Sequence, residues 1–69
     1  MKYDLVGVDG NAFAIMTYVL KAMKECKMSK GEQLYYQIKA TSSDYNNLLA
    51  VSIEMIDICN EICGSSDEE

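Results

Sequence analysis

The chain opens with a short run of β-branched and aromatic residues, KYDLVGV, that stops at Asp9-Gly10-Asn11. Tyr3, Leu5, Val6 and Val8 suit a pleated surface, so Lys2 to Val8 predicts a strand, weakened by Gly7. Asn11 is placed to cap the apolar, Ala-rich stretch that follows. From Ala12 to about Lys27 the pattern is helical. At 100° per residue, Thr17, Lys21, Lys24 and Glu25 share one narrow polar stripe. Apolar residues from Phe13 to Cys26 cover the rest, roughly 220° of the circumference, whereas packing on one core needs only about 100°. This helix is therefore expected to be covered on two sides.

Ser29-Lys30-Gly31-Glu32 fits the S-x-x-E capping box and predicts a second helix from about Lys30 to Ala40. Leu34, Tyr35 and Ile38 are read as its apolar side. Thr41 to Asp44 is a loop and N-cap cluster, and a third helix is predicted from Asp44 or Tyr45 to Cys63, with Gly64 as its C′ residue. Its apolar arc is again about 220° wide. Leu48, Ser52, Met55, Cys59 and Ile62 follow the spacing of a helix–helix seam, and Leu49, Ile53 and Ile56 make a neighbouring one. Residues 1–63 are expected to form a single domain, and 64–69 a disordered acidic tail.

A lone strand has no partner for its amides and carbonyls. The expected fold is therefore α+β and mostly α: one N-terminal strand, then three helices, with the strand paired against its copy in a homodimer; a monomer whose N-terminal segment lies as an extended arm on its own helices is the alternative. Tyr3, Leu5, Val6 and Val8 would form the strand seam, and Met16, Leu20, Met55 and Ile62 the helical part of the interface. Size points the same way. A chain of 69 residues makes a marginal core, yet 49% of it is apolar, so a second subunit is expected to complete the core.

Charge narrows the partners. The net charge is −5, of which Asp67, Glu68 and Glu69 supply three, leaving about −2 for residues 1–66. There is no arginine, which argues against nucleic acid as a partner. The N-terminal run is interrupted by Asp4 and Asp9 and does not read as a signal peptide; nor does the chain hold about 18 uninterrupted apolar residues, so no membrane span is expected. Cys26, Cys59 and Cys63 cannot all pair within one chain, and free, reduced thiols in the cytoplasm are the simplest expectation. A three-thiolate metal site is the alternative, with no histidine and no CxxC in its favour.

The candidate chemistry sits at the Asp9-Gly10-Asn11 junction. A helix N-terminus offers unpaired amides and a positive dipole end to a phosphate, and Gly10 allows close approach. Asp9, Gly10 and Asn11, with Tyr36 for stacking and Lys24 for charge, form the candidate ligand site; a plain Asp-Gly turn with an Asn cap is the structural alternative. The four lysines 21, 24, 27 and 30 read either as a solvated face or as a patch for an acidic partner. With no histidine and no nucleophile motif, no enzyme activity and no cofactor are expected.

The segments YDLVGVDGNAFAIM and TSSDYNNLLAVSIEMID resemble a group of short hypothetical proteins of gut-type bacteria, their phages and mobile elements. The resemblance spans residues 3–60, implies a mobile-element setting and brings no catalytic or binding residue. Two functions follow from the residues. One is a non-enzymatic homo-oligomeric binder that holds or sequesters a phosphate-bearing, nucleotide-like ligand near a subunit boundary. The other is a protein-interaction module, a small inhibitor or adaptor, that docks a partner through a surplus apolar helix face.

Overall fold

The computed structural model describes residues 3–64; of the expected disordered tail 64–69, all but Gly64 lies outside them, and Gly64 belongs to a helical turn rather than to a tail. Three helices, α1 (Ala12–Glu25), α2 (Lys30–Ala40) and α3 (Tyr45–Cys59), are followed by one π-helical turn, Asn60–Gly64, that continues α3. α3 packs against both α1 and α2, which touch each other much less. The core lies along α3, between Ile15, Val19 and Met23 of α1 and Tyr36 and Ala40 of α2.

The helix ends are set by local chemistry. Asn11 Oδ1 accepts hydrogen bonds from the Phe13 and Ala14 amides and opens α1. Ser29 Oγ accepts from the Glu32 amide while Glu32 Oε1 accepts from the Ser29 amide, so the capping box forms as the spacing predicts. Asp44 Oδ1 accepts from the Asn47 amide at the start of α3. Asn47 Nδ2 donates back to the Lys39 carbonyl and ties that start to the end of α2.

Among the described residues there is no strand. The predicted fold class, α+β with a strand paired across a homodimer, is corrected to three helices preceded by an irregular N-terminal segment. The reason is that the segment's backbone finds partners inside the chain. The Tyr3 amide donates to Asn60 Oδ1 at 2.8 Å, and Asn60 Nδ2 donates to the Tyr3 carbonyl at 2.9 Å. One carboxamide thus does what two ladder hydrogen bonds would do. The Asp4 amide donates to the Tyr18 hydroxyl and the Val6 amide to Asp4 Oδ1. The Val8 amide donates to the Leu5 carbonyl, closing a turn whose third residue is Gly7 at φ +91°. A type II turn puts a positive φ there, and glycine adopts it without steric cost. The β-branched run bends at the glycine that weakened the strand pattern.

Two further differences concern the helices. α1 stops at Glu25, short of Lys27. Lys27 has φ 63°, its amide donates to the Lys24 carbonyl, and the Met28 amide donates to the Met23 carbonyl. This is a Schellman closure with lysine at the C′ position, where glycine is the usual occupant. At the other end, Cys63 lies in the π turn and is disulfide-bonded to Cys26, with Cα atoms 5.8 Å apart. Closing a loop over a separation of 37 residues contributes on the order of 4 kcal/mol in the chain-entropy account.

The left-handed conformation at Lys27 gives the first prediction. Lys27→Gly relieves the Cβ clash and is expected to raise the unfolding free energy by about 0.5–1 kcal/mol, after the loss of one favourable charge at the helix end. Urea titration followed by circular dichroism reads this directly; a destabilised variant contradicts the closure.

Candidate functional site

The candidate ligand residues do not converge. Asp9, Gly10 and Asn11 lie together in the turn before α1, but their polar groups are already engaged. Asn11 Oδ1 takes the first amides of the helix, and Asp9 Oδ1 accepts from the Asn11 amide at 3.2 Å. The Tyr45 hydroxyl donates to the Gly10 carbonyl, linking this turn to the start of α3. A phosphate here would have to displace the Asn11 cap and sit beside the Asp9 carboxylate.

Beside the turn is an open cavity of about 270 Å³ between the start of α1, the end of α2 and the start of α3. Ala12, Met16, Ala40, Tyr45 and Leu48 line it, its one charged side chain is Asp44, and no lysine reaches it. Lys24 is roughly 20 Å along α1 from Asn11, at 1.5 Å per residue. It stays exposed on the far end of the helix.

Tyr36, assigned to the ligand site from sequence, is a core residue. It is completely buried, and its hydroxyl shares a 2.6 Å hydrogen bond with that of Ser52, the one buried polar side chain among the described residues. Burial pushes the Tyr36 hydroxyl above the ordinary tyrosine range, and the bond to Ser52 offsets part of that. No buried side-chain oxygen or nitrogen is left without a partner among the described residues.

The expected interface residues are scattered. Tyr3 is buried inside the chain, its hydroxyl donating to Glu25 Oε1 at 3.0 Å. Leu5, Val8, Met16, Leu20 and Met55 pack partly against the core, whereas Val6 and Ile62 face outward. The expectation of three free thiols is corrected to one, Cys59, which is buried and whose thiol burial pushes up. A disulfide persists mainly in oxidising compartments, so the thiols no longer argue for the cytoplasm. Among the described residues no cluster of acidic, cysteine or histidine side chains is placed to hold a metal ion. No helix among them is long and apolar enough to cross a membrane.

The feature that stands out was read the other way round from sequence. α2 turns Tyr36 and Ala40 inward, so Leu34, Tyr35 and Ile38, its expected core side, are exposed. Tyr35 also borders a groove between α2 and α3 lined by Lys39, Val51, Glu54, Met55 and Ile58. The Lys39 ammonium sits 5.7 Å from the centroid of the Tyr35 ring, which fixes one lip of that groove. The inward stripe was present in the sequence as Gln33, Tyr36, Gln37 and Ala40, at i, i+3, i+4 and i+7. Gln33 Nε2 donates to the Met28 carbonyl, so one polar member of that stripe is used within the chain.

The buried hydroxyl pair gives a prediction with a defined sign. The Tyr36 pKa is raised in the folded chain, so its contribution to stability is present below the unfolded value, near 10, and is lost as pH rises through the folded value. The wild-type unfolding free energy should fall above about pH 9, first through Cys59 and then, above about pH 10, through Tyr36. Tyr36→Phe should cost about 1–3 kcal/mol at neutral pH by orphaning the Ser52 hydroxyl, and should flatten that alkaline slope except for the share due to Cys59. Denaturation series between pH 7 and 11 measure both; an unchanged slope contradicts the burial of this hydroxyl. No protein-family model matches the chain, and comparisons with curated proteins and with solved structures return no match.

Proposed function

We propose that this chain is a non-enzymatic protein-interaction module that docks its partner through the outer face of α2 and the adjoining edge of α3. The observation that carries this reading is the outward apolar arc of Leu34, Tyr35 and Ile38, whose Tyr35 borders the α2–α3 groove with Met55 and Ile58. A domain this small has little apolar surface to spare. Here three large apolar side chains sit on the helix face opposite the core, each more than half exposed. Contiguous exposed apolar surface rimmed by polar residues marks an interaction site. Lys39 and Glu54 supply such a rim on opposite lips of the groove.

The ligand-binding alternative has weaker support. Its amides are capped by Asn11, its nearest cavity is lined by Asp44 rather than by a cation, and Tyr36 and Lys24 lie elsewhere. The mobile-element setting implied by the resemblance fits a small inhibitor or adaptor acting on another protein.

Two measurements test the reading together. At a concentration low enough to keep the chain monomeric, Leu34→Lys with Ile38→Lys should change the unfolding free energy by no more than about 0.5 kcal/mol per site, as expected for surface positions. A photo-cross-linking residue at position 38 should give discrete cross-linked species in the producing cell, and the same residue at position 21 should not. A loss of several kcal/mol, or no discrete product from position 38, overturns the reading.

A further inference from the structure

We infer that the partner for this face is a second copy of the chain, the two copies meeting about a two-fold axis so that α2 of each lies on α3 of the other. The inference rests on the interaction-module reading and names its partner.

Area is the first argument. Leu34, Tyr35, Ile38 and Ile58 are 57%, 62%, 60% and 41% exposed. At roughly 200 Å² for a fully exposed large side chain, they present about 450 Å² of surface, somewhat over half of the ~800 Å² that each partner of a standard stable interface buries.

Charge is the second, and it sets the pairing. The groove carries Lys39 on its α2 lip and Glu54 on its α3 lip. Lys30 lies on the opposite side of α2 from Lys39, and Asp57 lines a separate cavity with Tyr3 and Leu5, so neither belongs to this face. Laid groove to groove, two copies set the opposite signs of the lips face to face, with Tyr35, Met55 and Ile58 between them. A two-fold axis delivers that arrangement twice, because each contact of an isologous interface is repeated in reverse. Lys39 then faces the partner's Glu54, and Glu54 faces the partner's Lys39. No strand takes part, so this seam differs from the one expected from the N-terminal pattern.

Sedimentation equilibrium on the full chain, from about 1 to about 100 μM, tests the inference. The wild type should approach twice the 7.7 kDa mass of the chain. Ile38→Asp should abolish association over that range. Lys39→Glu and Glu54→Lys should each weaken the dimer about 10-fold, through like charges at two symmetric contacts. The double reversal, Lys39→Glu with Glu54→Lys, should return to within about 3-fold of wild type. All these positions are exposed or on the groove rim, and circular dichroism confirms that each variant stays helical. A dimer that Ile38→Asp leaves intact, or a double reversal no better than the single ones, overturns this pairing. A wild type that stays monomeric at about 100 μM while position 38 still cross-links to a discrete partner overturns the second copy and leaves the module reading standing. A monomer with no cross-link removes both.

Discussion

The hydrogen bond between the Tyr36 and Ser52 hydroxyls sets how α2 is turned, and with it which surface the molecule shows to others. A tyrosine buried without a partner loses on the order of 1–3 kcal/mol, whereas a paired one contributes its ring area to the core. Ser52 supplies that partner from within an apolar stretch of α3. Ala40, one turn after Tyr36 and also buried, has only a methyl group and lets the two helices come close. Once Tyr36 and Ala40 face inward, Leu34, Tyr35 and Ile38 have to face out.

The N-terminal segment shows the same economy of internal polar pairing. It carries the composition of a strand but has no strand to pair with, and the Asn60 carboxamide takes the Tyr3 amide and carbonyl in place of a ladder. Asn60 opens the π turn that continues α3, and the same turn holds Cys63 in its bond to Cys26. The two ends of the described chain are therefore fastened on one side of the molecule, against the end of α1. Among the described residues, neither end covers the α2–α3 face.

Much of the helical framework was legible because it rests on local rules. The Asn11 cap, the Ser29–Glu32 box and the start of α3 at Asp44 are short-range hydrogen bonds between side chain and backbone, fixed by spacing alone. The strand was misread because β-propensity describes fit to a half-buried surface and not a backbone preference; Gly7 in a turn and a distant asparagine outweighed it. The orientation of α2 was misread because hydrophobicity alone ranked Leu34 and Ile38 above Tyr36 and Ala40. A buried hydroxyl needs a partner from another element, and that pairing is invisible in the pattern of one helix. The ligand site was misread for a related reason: the residues offered by the turn are consumed by capping, and Tyr36 and Lys24 are carried away from it by the fold.

The exposed α2–α3 face depends on α2 being turned as described, and isotope-filtered NMR of the full chain measures that most directly. The account predicts intrachain Overhauser contacts from the Tyr36 ring to Ser52 and Val51, and a Tyr36 hydroxyl proton that exchanges slowly with water. It predicts no intrachain contacts from the Leu34 and Ile38 methyl groups to the buried side of α3. Intrachain contacts from Leu34 and Ile38 to Val51 or Ile56, with the Tyr36 ring in water, would contradict it.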